Sequence, residues 1–269
     1  MKLPESFNFS QNNLQDYEDC EYRFLLKHIR HLEWPAVESE PQLIQEEKIE
    51  IGYRFHRLVQ QYFCGITPEV LTDSIEDATL LEWWDHFLAL NFLDQPAVKV
   101  SERLISVPFK EHRLVAKYDL LVLNESTHIE IYDWKTSTSQ PHRQFLIGRM
   151  QSHVYPALLI LQQFCASFIA KPTPEDIGMT YWFPAHPDSP VTFTYSSSQY
   201  EKDLQILEKV IEEIVIKEEH EFEKTGDVKK CHYCRYRSLC ERGIEAGTLQ
   251  DDSADLPDDN PFEFDFEAI

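Results

Sequence analysis

The sequence predicts an α/β (α+β) chain in which helices flank a mixed central sheet. Three observations carry this. Helical patterns, three short β-rich stretches, another helix and a further strand pair follow one another in that order. The 269 residues are 42% hydrophobic, enough for a substantial core. No internal repeat is present, so a solenoid is not expected.

Phe7-Asn-Phe9 reads as a short extended entry and Ser10 as an N-cap. The helix that follows places Leu14, Tyr17, Phe24 and Leu25 near helical spacing and is expected to run to about Arg30. A second helix over residues 43–63 carries Ile51, Phe55, Leu58, Val59 and Tyr62 on its apolar side. A third, over 76–93, carries Trp83, Trp84 and Phe87. Residues 104–109, 114–123 and 128–134 are rich in aliphatic and β-branched side chains and separated by polar turns, the pattern of an antiparallel meander. A helix over 144–165, strands over 177–183 and 191–195, and a long charged helix capped by Ser196 to Ser198 and reaching about residue 224 complete the core.

Composition excludes several function classes. With only 7 glycines, the chain lacks the phosphate-cradling patterns G-x-G-x-x-G and G-x-x-x-x-G-K and the G-x-S-x-G elbow. His-Glu-x-x-His is missing too. The longest apolar stretch, 155–170, is broken by Gln162 and Gln163, so no membrane span is expected. An apolar leader does not follow Met1-Lys2, and a cytoplasmic protein is expected. The formal net charge of −22 argues against a general nucleic-acid binder. Its distribution softens the argument, because residues 245–269 contain acids and no base, while basic residues gather around Arg23, Lys27 and Arg30, around Lys110, Arg113 and Lys117, and from Lys229 to Arg242. A basic groove on an acidic body is compatible with these counts. Two domains are expected, a folded unit over 1–244 and an acidic disordered tail over 245–269.

The sharpest local feature is Ile129-Glu-Ile-Tyr-Asp-Trp-Lys135. In a strand, Ile129, Ile131, Asp133 and Lys135 share one face, so a core-facing row turns polar at its end. Burying an acid and a lysine there is costly unless they have partners. Asp119 supplies a second carboxylate from the neighbouring strand, and two such carboxylates can share a hard divalent cation. On these residues alone, a surface Asp–Lys pair is the ordinary alternative. Gln151 and Tyr155, at i and i+4, lie on one helical face that can look back at the carboxylates. His56, inside Gly52-Tyr-Arg-Phe-His56, is a candidate further ligand or an ordinary half-buried histidine.

Cysteines form a separate constellation. Cys231, Cys234 and Cys240 are spaced C-x2-C-x5-C, and Cys20 stands far upstream in the first helix. Three close thiolates and a distant fourth can hold zinc or an iron–sulfur cluster, and the spacing does not choose between them. Joining Cys20 to Cys231 would close a loop worth of order 5 kcal/mol. It would also bring Arg23, Lys27, Arg235 and Arg237 together as a candidate DNA-facing rim. His232 is a conceivable competing ligand, and Cys64 and Cys165 read as buried structural thiols.

In order, Gly-x-x-x-His, Asp, Asp-x-Lys and Gln-x-x-x-Tyr resemble the motif sequence of the PD-(D/E)XK nucleases of RecB type, over about Phe7 to Arg242. The opening from Phe9 to Phe24 is also similar to that family's first helix. Ala116 stands near the place of a usual glycine, Leu120 near that of a frequent basic residue, and Glu21 where a proline often follows the first cluster cysteine. The resemblance implies a restriction-endonuclease-like core with the C-terminal cysteine knot closing on the N-terminal helix. It implies a DNA exonuclease in repair, recombination or CRISPR adaptation. In it, Asp119, Asp133, His56 and the Trp134 carbonyl would hold Mg²⁺ or Mn²⁺, with Lys135, Gln151 and Tyr155 completing the catalytic set. Similarity to AddB and the CRISPR adaptation nucleases implies a 4Fe–4S cluster on Cys20, Cys231, Cys234 and Cys240, with zinc as the lesser occupant. The alternative function is a catalytically inactive DNA-binding or scaffold module of the same fold. Alternating acids and phenylalanines in the tail suit a protein partner, the chain's own basic rim or simple solubilisation.

Overall fold

The computed structural model describes residues 3–4, 7–34, 40–124, 128–162 and 171–243. Six strands form one mixed sheet: β1 (Asn8–Ser10), β2 (Val98–Phe109), β3 (His112–Leu123), β4 (Ile129–Trp134), β5 (Ile177–Trp182) and β6 (Val191–Thr194). The path runs β1-β3-β4-β5-β6, with β2 on the other edge of β3. Strands β2, β3 and β4 make the expected antiparallel meander, β1 joins β3 in parallel, and β4 pairs parallel with β5. The expected α/β architecture with a mixed central sheet is therefore present.

The helices are α1 (Gln11–Asp19), α2 (Glu21–Phe24), α3 (Glu40–Phe63), α4 (Pro68–Asp73), α5 (Ala78–Leu88), α6 (Arg143–Ile147), α7 (Met150–Leu161) and α8 (Ser197–Ile216). Ser10 and Ser196 cap α1 and α8 as expected, each side chain accepting a backbone N–H three residues on. The single first helix of the sequence reading is instead broken at Cys20, whose backbone is extended (φ −164°, ψ 106°), and continues through α2 into a π-helical turn, Leu25–Ile29. The third helix is shorter than expected and preceded by α4, while the 144–165 helix is interrupted at Gly148-Arg149. Helix α8 stops at Ile216 rather than near 224. There Lys217 turns extended, and Phe222 is buried in the core, stacked on Phe24 and edge-on to Tyr17.

Two cores result. One lies between the sheet and α1, α7 and α8, with Phe9, Leu14, Phe24, Ile131, Leu158 and Ile211 among its buried residues. The other is aromatic: Phe55, Trp83, Trp84, Phe87, Trp134 and Trp182 pack beneath α3 and α5. Burial of a large side chain contributes about 1.5–3 kcal/mol, so both faces of the sheet are firmly covered. Helices α3 and α7, one from each core, converge at the end of β4. Among the described residues no helix is long and apolar enough to cross a membrane.

Two further expectations are corrected. Cys64, one residue past α3, is exposed rather than a buried core thiol. Arg23 does not face solvent as part of a rim. It is 5% exposed and spent on Asp16 (2.8 Å) and Asp19 (3.0 Å), while Lys27 also pairs with Asp16. Cys165 and the 245–269 tail lie outside the described residues.

Candidate active site

The site begins as a gap in the sheet. Strand β2 takes one edge of β3, and on the other edge β1 pairs with residues 113–115 and β4 with residues 120–123. Residues 116–119 therefore have no ladder partner on that edge, and their polar groups must be satisfied in another way. One side chain does so for β3, and another bridges the gap to β4. Tyr155 from α7 donates its hydroxyl to the Lys117 carbonyl at 2.7 Å, and Asp119 accepts the Trp134 N–H on Oδ2 at 2.8 Å. Burial and the negative charges of Asp133 and Asp119 push the Tyr155 phenol well up, which keeps it a donor.

The other oxygen of Asp119 faces His56 of α3. His56 Nδ1 lies 3.5 Å from Asp119 Oδ1, and its Nε2 lies 3.1 Å from the Trp134 carbonyl. Burial opposes the charged imidazole, but the Asp119 carboxylate outweighs it and holds the His56 pKa above its ordinary value. Asp119 is held below the usual carboxylate range: burial pulls it up, while the charge and hydrogen bond of His56 and the Trp134 N–H prevail. A third acid, Glu102, stands across from Asp119 in the β2–β3 register, at a residue whose φ of 53° interrupts the ladder there. It ion-pairs with Lys117, and burial followed by the Asp119 charge raises its pKa. Among the described residues, His56, Glu102 and Asp119 form a group able to offer one ligand atom each within 4.8 Å of one another. Imidazole, carboxylates and a main-chain carbonyl are a suitable donor set for Mg²⁺ or Mn²⁺. Glu102 is absent from the sequence reading, which starts its strand at residue 104.

Asp133 is placed differently. It is 3% exposed, continues the buried row of Ile129 and Ile131, and accepts from Gln151 Nε2 on Oδ1. Lys135 Nζ lies 2.9 Å from Asp133 Oδ2 and donates to Gln151 Oε1 at 2.7 Å. The structure thus brings Asp133, Lys135 and Gln151 into one closed clamp at the gap, beside the His56–Asp119 pair. Tyr155 is on the same helical face but spans to β3.

Gly52 explains how α3 comes so near. A Cβ on Gly52 would run into Thr136 Oγ1 and lie 3.2 Å from Thr136 Cβ, directly after the Lys135 strand end. Gly52→Ala is expected to push α3 outward and carry His56 with it, at a stability cost of about 1–3 kcal/mol. Thermal melts of Gly52→Ala with and without Thr136→Ala check this: the second change should recover most of the loss, and no recovery would refute the contact.

Cys20, Cys231, Cys234 and Cys240 line one small cavity together with Arg23, Arg237 and Arg242, and no disulfide joins any of the four. Cys20 Sγ accepts the Thr225 N–H at 3.4 Å. Burial pushes the Cys231 and Cys240 thiols up, and each also feels Cys20. Four thiols that line one cavity with guanidinium groups suit an anionic thiolate-bound cluster, although no three of their sulfurs stand within 4.8 Å of one another as a single metal ion would need. The His232 carbonyl is engaged by Arg237 at 3.1 Å.

Comparison with known proteins matches residues 8–241 to the model of the PD-(D/E)XK nuclease superfamily. No curated protein sequence matches the chain. Among solved structures, the crystal structure of SSO0001 aligns with a TM-score of 0.35 and 11% identity, over 74% of this chain and 97% of its own.

Proposed function

The chain belongs to the PD-(D/E)XK nuclease superfamily, and from that premise we propose that it is a Mg²⁺- or Mn²⁺-dependent deoxyribonuclease acting on DNA ends or single strands. The observation that carries the reading is the Asp133–Lys135–Gln151 clamp set beside Asp119, His56 and the Trp134 carbonyl. In this reading Asp119, His56, the Trp134 carbonyl and Asp133 hold the cation, with Glu102 as a further donor. Bound there, the cation would polarise the scissile phosphate and acidify its water. Lys135 orients that water and places positive charge where the phosphate gains negative charge. Gln151 keeps the Lys135 ammonium and the Asp133 carboxylate at fixed separation, and Tyr155 holds α7 against β3.

The four cysteines support a RecB-like, AddB-like assignment with a 4Fe–4S cluster held by Cys20, Cys231, Cys234 and Cys240. Such a cluster would tie the C-terminal segment to the break after α1. Residues 1–244 are taken as the nuclease domain and 245–269 as an appended acidic segment suited to a protein partner. Repair or CRISPR adaptation is the setting this assignment favours.

End-labelled single-stranded and duplex DNA, with a covalently closed circle as control, tests the proposal in Mn²⁺. Linear substrates should be degraded by the full chain and spared by Asp119→Ala, and the circle should survive. DNA binding without cleavage would favour the inactive scaffold instead. Iron content and visible absorbance after anaerobic purification test the cluster, and a colourless zinc protein would refute it.

A further inference from the structure

Helix α1 carries Gln11, Gln15 and Asp19 four residues apart, on one face. Each meets a group on or beside α7. Gln11 Nε2 donates to the Tyr155 hydroxyl at 3.2 Å, Gln15 Oε1 accepts the Met150 N–H at 2.9 Å, and Asp19 Oδ2 lies 3.6 Å from Arg149 Nη1. The start of α7 needs such help. Its N-cap residue, Arg149, makes no side-chain cap, and Pro156 withholds the N–H that would bind the Ser152 carbonyl. A helix start whose orphan N–H groups lack a cap of its own is where a helix frays first. Gln15 supplies the missing cap from another element.

Asp19 also reaches the cysteine cavity. Its Oδ1 accepts from Lys230 Nζ at 2.9 Å and from Gln15 Nε2 at 3.1 Å. Lys230 immediately precedes Cys231, and Asp19 immediately precedes Cys20. One carboxylate therefore joins the two cysteine-bearing segments to the cap and the N-cap residue of the helix that bears Gln151.

We propose that Asp19, through Gln15 and Arg149, is a positioning residue that sets α7, and hence Gln151, in register with the four-cysteine centre. Closure of that centre brings Lys230 onto Asp19, and Asp19 in turn holds the first turn of α7 against Asp133 and Lys135. The proposal rests on the reading of Asp133, Lys135 and Gln151 as nuclease machinery. A shift of about 1 Å in such a group can cost on the order of 100-fold in rate.

The test uses the full chain as wild type, Asp19→Asn, Lys230→Gln and Cys231→Ser, with Arg30→Gln as control because it breaks only an exposed pair with Glu219. Amide hydrogen exchange over residues 146–155 is read beside iron and zinc content and Mn²⁺-dependent cleavage. Asp19→Asn and Lys230→Gln should keep the metal content, exchange the 149–152 amides about 10-fold faster, and lose about 10-fold or more in kcat with KM unchanged. Cys231→Ser should show the same faster exchange, and Arg30→Gln should match wild type. Lys230 is partly exposed, so Lys230→Gln decides the matter if Asp19→Asn does not fold. Wild-type exchange in both Lys230→Gln and Cys231→Ser overturns the proposal. A wild type that fails to cleave would sink the nuclease reading alone, since the exchange result still decides the coupling.

Discussion

Lys135→Ala is expected to lower kcat for Mn²⁺-dependent DNA cleavage by about 10²–10³-fold while KM stays within about threefold. The ammonium sits 2.9 Å from Asp133 Oδ2 and 2.7 Å from Gln151 Oε1, fixed before substrate arrives. Charge held in place costs no reorganisation when negative charge builds on phosphate, so its loss falls on the transition state rather than on binding. Lys135→Arg should not restore the rate, because a planar fork cannot reproduce a compact ammonium between two oxygens. Full activity in Lys135→Ala, with unchanged melting, would remove this residue from the chemistry.

The second large effect concerns stability. Asp16, 6% exposed, receives Arg23 Nε at 2.8 Å, Lys27 Nζ at 3.2 Å and His28 Nε2 at 2.7 Å. Burial alone would raise its pKa, but Arg23, Lys27 and His28 hold it far below the ordinary aspartate value of 3.8. A depressed carboxylate contributes stability that is fully present above the unfolded value, near 4, and is lost as pH falls further toward the folded one. Wild-type stability should therefore drop as pH is lowered below about 4. Asp16→Asn should lose about 3–5 kcal/mol at neutral pH, because it strands buried Arg23, and its acid limb should be shallower. Urea unfolding from pH 2 to 7 measures both. Equal acid slopes in the two proteins would show that Asp16 is not the linked group.

Much of this architecture was legible because strand parity is strict. Ile129, Ile131 and Asp133 share a face in the structure as alternation requires, and the polar turns marked the meander. Capping serines also announced α1 and α8. What was hidden depended on contacts between distant segments. Nothing local warns that α1 breaks at Cys20, since cysteine is no helix breaker. Glu102 could be found only by extending β2 far enough to set it opposite Asp119. Arg23 resembled a surface base, although an acid four residues earlier, Asp19, hinted at its pairing. Gly148 was a readable stop signal within the 144–165 pattern. The charged run after Ile216 continued to look helical because the burial of Phe222, which pulls the chain inward, has no local signature. The roles given to Tyr155 and Asp119 follow from a gap in β3 that no single segment encodes.

A crystal soaked in Mn²⁺ and measured near the manganese edge addresses the central claim most directly. A single anomalous peak roughly 2.1 Å from an Asp119 oxygen, with the Trp134 carbonyl or His56 completing its surroundings, is the predicted result. A fully soaked crystal with no peak at Asp119, or with manganese bound only elsewhere, would contradict it.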